Sequence, residues 1–81
     1  MQPSTLVPEG ISEQLALTVN GATRTIPNGW TMGDLLASLA LDARTVVVEH
    51  NGTILRDCAS FASLALSADD RVEIVHFVGG G

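Results

Sequence analysis

Two of this chain's three Asn-Gly pairs, Asn20-Gly21 and Asn51-Gly52, are placed to reverse a strand. No other short signal constrains a small fold so strongly, because both residues tolerate φ > 0 and accept the tight turn that reverses a strand. Each pair sits between strand-like runs. Leu15, Leu17 and Val19 alternate with Ala16, Thr18 and Asn20, the pattern of a half-buried strand, and Ala22-Thr23-Arg24-Thr25-Ile26 returns after the turn. Pro27-Asn28-Gly29 ends that return. Thr45-Val46-Val47-Val48-Glu49 is β-branched and reads as a strand covered on much of both faces, with Thr53-Ile54-Leu55 as its short partner. Arg71 to Phe77 forms a last strand.

Between the hairpins the period changes. Thr31 is a candidate N-cap with Asp34 three residues on, a weak form of the capping box. Met32, Leu35, Leu36 and Leu39 then keep the i, i+3, i+4, i+7 stripe, which predicts a helix of roughly three turns. Gly33 weakens it, so packing must hold it in place. Cys58 to Leu66 reads either as one helical turn or as a packed irregular loop, and Ser67-Ala68-Asp69-Asp70 as a polar turn. A hairpin and a helix in 81 residues, 46% of them hydrophobic, imply one α+β domain with the helix laid across a mixed sheet. Residues 1–13, with Pro3, Pro8 and Gly10, read as a flexible extension outside it.

Charge narrows the partners. Four arginines and no lysine stand against nine acidic residues, for a net charge of −5. No basic stripe exists to neutralise phosphates, which argues against nucleic acid and anionic membrane surfaces and toward a protein with a basic docking face. Cys58 is the single cysteine, so no internal disulfide forms, in keeping with a cytoplasmic protein. Neither a signal-peptide pattern nor an apolar run of membrane-spanning length is present.

Chemistry-bearing residues are sparse. No nucleophile–base–orienter set and no phosphate-cradling loop appear, so the chain is not expected to be an enzyme or to hold a metal or cofactor. His50 and His76 lack the spacing of a metal pair; His50 is expected exposed at a turn and His76 at the root of the tail. Cys58 is expected to be a small half-buried packing residue. Asp69-Asp70 is expected to serve the turn. In the last strand, period two sends Val72 and Ile74 inward and Glu73, Val75 and Phe77 outward. Glu73, Val75, Phe77 and Val78 are therefore candidate partner-docking residues beside the tail, unless Phe77 folds back over the sheet edge.

The chain closes on Gly79-Gly80-Gly81. Such a run is open to bland readings, a cloning remnant or a frayed end. It also suits a tail without Cβ atoms that threads a narrow channel and presents a carboxylate. Val19-Asn20-Gly21, Thr31-Met32-Gly33-Asp34-Leu35-Leu36, Val46 to Gly52, Asp70 to Val75 and Val78 to Gly81 together resemble the ubiquitin-like sulfur carriers of the MoaD/ThiS superfamily, most closely the ThiS-like branch of thiamine biosynthesis. Such carriers often have Gly where this chain has Asp69, and the molybdopterin branch usually places prolines before the tail, which are missing here.

That resemblance implies a β-grasp fold over 14–78, a mixed four- to five-stranded sheet with one main helix across one face, and a flexible tail at 79–81. It implies that an E1-like adenylyltransferase (ThiF-like) uses ATP to adenylate the Gly81 carboxylate. Sulfur derived from a cysteine desulfurase then replaces AMP, and a thiazole synthase (ThiG-like) consumes the thiocarboxylate. Gly79 and Gly80 thread the tail, and the carrier contributes no catalytic group. Two rivals stand beside this: a carrier for molybdopterin or another pathway, and a ubiquitin-like interaction module whose tail is never activated.

Overall fold

The computed structural model describes residues 13–76. In chain order these form β1 (Gln14–Val19), β2 (Ala22–Pro27), α1 (Met32–Ser38), β3 (Val46–His50), β4 (Thr53–Leu55) and β5 (Arg71–His76). Short 3-10 turns cover Ala43–Thr45 and Cys58–Ala62. The five strands make one mixed sheet in the order β2-β1-β5-β3-β4. β1 and β5 run parallel, while the other neighbours are antiparallel. With α1 on one face this is the ubiquitin-like β-grasp arrangement expected from the sequence.

Both turns form where Asn-Gly stands, with φ of 51° at Asn20 and Asn51, and 84° and 89° at the glycines. Positive φ at both central residues gives a turn whose twist matches its flanking strands. One sheet face is buried. Leu17, Val19, Ile26, Val46, Val48, Val72 and Ile74 meet Met32, Leu35, Leu36, Phe61 and Leu66 in a single core. Alternation thus works on β1 and β5 as predicted. On β3 it corrects the expectation of cover on both faces: Val46 and Val48 are buried, but Val47 and Glu49 are only half-buried. All the described helical segments pack on the core side, and no described element covers the second face.

α1 starts as read. The Thr31 hydroxyl accepts from Asp34 N at 3.2 Å, and the Asp34 carboxylate accepts from Thr31 N at 2.9 Å. The helix is seven residues long, not three turns. Ala40 takes φ +60°, its N–H donates to Ala37 O at 3.0 Å, and Leu41 N donates to Leu36 O at 3.0 Å. Those two bonds close the helix by the left-handed capping pattern that usually employs glycine, so Leu39 caps the helix and does not extend it. The Cys58–Leu66 ambiguity resolves into a 3-10 turn that buries Phe61, followed by a bridge between Thr31 and Ala65. Cys58 lies exposed on that turn, which corrects its reading as a half-buried packing residue.

Candidate functional site

β5 is the strand that leads toward the glycines, and its first half is gripped from three sides. Asp69 enters at φ +69°, its N–H donating to Ala16 O at 2.8 Å. Asp tolerates this left-handed geometry better than most residues, so the turn forms without glycine. Thr18 N donates to Asp70 O at 2.9 Å, which docks the strand beside β1. On one side Asn20 N donates to Val72 O at 2.9 Å and Asn20 Oδ1 accepts from Ile74 N at 2.7 Å. On the other, Asn51 N donates to Arg71 O at 2.8 Å and Asn51 Oδ1 accepts from Arg71 N at 2.8 Å.

The second grip rests on a buried carboxylate. Asp70 is 8% exposed. Its Oδ2 accepts from Ser67 N at 2.9 Å and from His50 Nε2 at 2.8 Å, and its Oδ1 from Asn51 Nδ2 at 3.0 Å. A carboxylate only accepts, so His50 Nε2 carries the hydrogen. Burial pushes the Asp70 carboxyl upward, but the hydrogen bonds from His50, Asn51 and Ser67 outweigh it and hold the group below its ordinary range. His50 is half-buried and hydrogen-bonded to Asp70, not exposed at a turn as its sequence position suggested. Asp70 likewise does more than form a turn.

The open face of the sheet presents the predicted docking residues. Glu73 is half-buried and Val75 is 62% exposed, both outward as period two required. Phe77, Val78, Gly79, Gly80 and Gly81 lie outside the described residues. Register places Val47 opposite Val75 and Glu49 opposite Glu73, and puts Ile54 opposite Glu49 on β4. A shallow hollow of about 800 Å³ runs along this face, lined by Glu49, Asn51, Asp69, Arg71, Glu73 and Val75 among others. Glu49 and Ile54 were not singled out from sequence. The signal for them is strand parity on β3 and β4, which becomes readable only once the register with β5 is fixed.

Among the described residues no group of three or more His, Cys, Asp or Glu could hold a metal ion. No described helix is long and apolar enough to cross a membrane.

Comparison with known proteins agrees with this geometry. The ThiS family profile matches residues 17–81. The sulfur carrier protein ThiS of Bacillus subtilis is 45% identical over 51 residues, covering 63% of this chain and 76% of that protein. A thiazole synthase of Paramagnetospirillum magneticum is 39% identical over 67 residues, which are 83% of this chain. A thiazole synthase of Magnetococcus marinus is 31% identical over the same length. The chain spans only 20% of each of these two longer relatives. The crystal structure of the thiamine biosynthesis protein ThiS from Geobacter metallireducens superposes with a TM-score of 0.70 at 34% identity, covering 83% of this chain and all of that one.

Proposed function

This chain belongs to the ThiS family, and from that premise we propose that it is a sulfur carrier of thiamine biosynthesis, loaded at the Gly81 carboxylate. The observation that carries the reading is the family match running through residue 81, over a β-grasp domain whose last described strand ends at His76. The residues after His76 include three glycines, Gly79, Gly80 and Gly81, which suit passage of a tail through a narrow channel.

A carboxylate resists nucleophiles, so it must first be activated. In the proposed sequence an E1-like adenylyltransferase joins the Gly81 carboxylate to the AMP part of ATP and releases pyrophosphate. A persulfide made by a cysteine desulfurase attacks the acyl carbon; the C–S bond forms and AMP leaves. A second thiol then cleaves the S–S bond, becoming half of a disulfide, and the carrier keeps its sulfur as a thiocarboxylate. The carrier binds no cofactor and catalyses no step; ATP is spent by the partner. Thiazole synthase is the proposed acceptor. Support comes from the two relatives of that name, in which a segment like this chain makes up one fifth of the polypeptide. Glu73, Val75, Phe77 and Val78 dock the partners, and the work is assigned to the cytoplasm.

Deletion of Gly81 tests the assignment in a reconstituted thiazole synthesis. The expected result is loss of product by at least about 100-fold, equivalent to ~2.7 kcal/mol of barrier or more, with an unchanged melting temperature. Product at the full rate from the deleted chain would mean that the carboxylate of Gly81 carries nothing.

A further inference from the structure

The open sheet face contains an arrangement that folding alone does not favour. Glu49 and Glu73 are directly opposite across β3 and β5, and both are half-buried. Like charges in a cross-strand pair destabilise a sheet. Among the described residues no cation pairs with either of them. All four arginines lie among the described residues and the chain has no lysine, yet the only basic side chains in contact with a carboxylate there are Arg44, on Asp42, and His50, on Asp70. Arg71 lines the same hollow without pairing to either glutamate.

The surroundings of the pair are apolar on one side. Val47 and Val75 form the next cross-strand pair, and Ile54, 49% exposed, stands opposite Glu49 on β4. Two half-desolvated carboxylates with an aliphatic rim match a partner's arginine, whose planar fork can donate to both at once while neighbouring side chains cover the valines. Around the hollow three carboxylates face one guanidinium, so the complementary surface is positive.

We infer that this face holds a cationic side chain of the thiazole synthase between Glu49 and Glu73, with Val47, Val75 and Ile54 seating apolar side chains around it. The inference rests on the partner assignment above and adds Glu49, Val47 and Ile54 to its docking surface. A local rule broken on a sheet surface is then explained by the complex, in which the repulsion becomes a bidentate attraction.

The test measures binding of the full chain to the thiazole synthase of the same organism at about 50 mM and about 300 mM salt, with melting temperatures in parallel. The double variant Glu49→Gln/Glu73→Gln should bind at least about tenfold more weakly at low salt, lose most of the salt dependence, and melt no lower than the parent. Glu13→Gln, the same change off this face, should bind within about twofold of the parent. Unchanged affinity in the double variant overturns the inference while leaving the partner assignment standing. So does a weakening matched by Glu13→Gln, or one accompanied by a lower melting temperature. A parent chain that does not bind the synthase at all overturns the partner assignment, and the inference with it.

Discussion

Asn20-Gly21 and Asn51-Gly52 turn the chain with nearly the same backbone, and each asparagine reaches across to hold β5. Their surroundings differ. Among the described residues Asn20 contributes one side-chain bond, to Ile74 N, and none to a charged group. Asn51 is held on both ends of its amide, accepting from Arg71 N and donating to the buried Asp70. The first turn fixes the depth of β5 beside β1. The second ties the start of β5 to a carboxylate that also holds Ser67 and His50. One dipeptide thus serves as a plain clamp on one side of β5 and as part of a polar lock on the other.

Substitutions should separate the two. Asn51→Ala should be the most damaging, by about 2–4 kcal/mol, because it leaves Asp70 Oδ1 without its donor and strands Arg71 N, and adds the left-handed backbone cost. Asn20→Ala should cost about 1–2 kcal/mol less, since it unpairs only Ile74 N. Urea unfolding of the two variants reads the gap directly; equal midpoints would mean that the Asp70 lock adds nothing. Asn51→Gly and Asn20→Gly remove the backbone cost, and the difference between them should persist.

Acid should sharpen the contrast. The Asp70 carboxyl lies below its ordinary range in the fold. Its stabilising contribution is therefore complete above the unfolded value near ~3.9 and is lost as pH falls through the lower folded value. The penalty of Asn51→Ala should shrink below about pH 4, while that of Asn20→Ala should stay flat. Asp42, drawn down to about 2 mainly by its side-chain hydrogen bond with Arg44, is exposed and common to all variants, so it cancels in the comparison. A parallel acid response in both series would break the distinction.

The remaining left-handed positions mark the small end of the scale. Ala40 and Asp69 hold φ of 60° and 69°, and among the described residues neither has a side-chain bond like those of the asparagines. Ala40→Gly should stabilise by about 0.5–1 kcal/mol, and Asp69→Gly by a few tenths at most. Destabilisation at Asp69 by more than about 1 kcal/mol would show that its side chain does more than accept the turn.

Much of this was legible in the sequence because the relevant signals are local. Asn-Gly turns, the Thr31–Asp34 cap and the parity of Val72 and Ile74 each depend on residues within a few positions of one another. The helix end was not, because Ala40 adopts a conformation that sequence assigns to glycine. His50 and Asp70 are 20 residues apart, and their pairing follows only from β3 lying beside β5. Glu49 was passed over for the same reason: a carboxylate on a strand is unremarkable until the register sets another opposite it. The exposure of Cys58 is not legible in sequence because a 3-10 turn has too short a period to show which side it buries.

The central claim is that sulfur travels on Gly81, and one measurement addresses it most directly. The chain is produced together with the proposed adenylyltransferase and cysteine desulfurase, and its intact mass is recorded with fragmentation to the C-terminal residue. The account predicts one oxygen replaced by sulfur, localised to Gly81 and distinct from oxidation at Met1 or Met32. An unmodified Gly81, with both enzymes active on another carrier, would contradict it and leave a ubiquitin-like binding domain in its place.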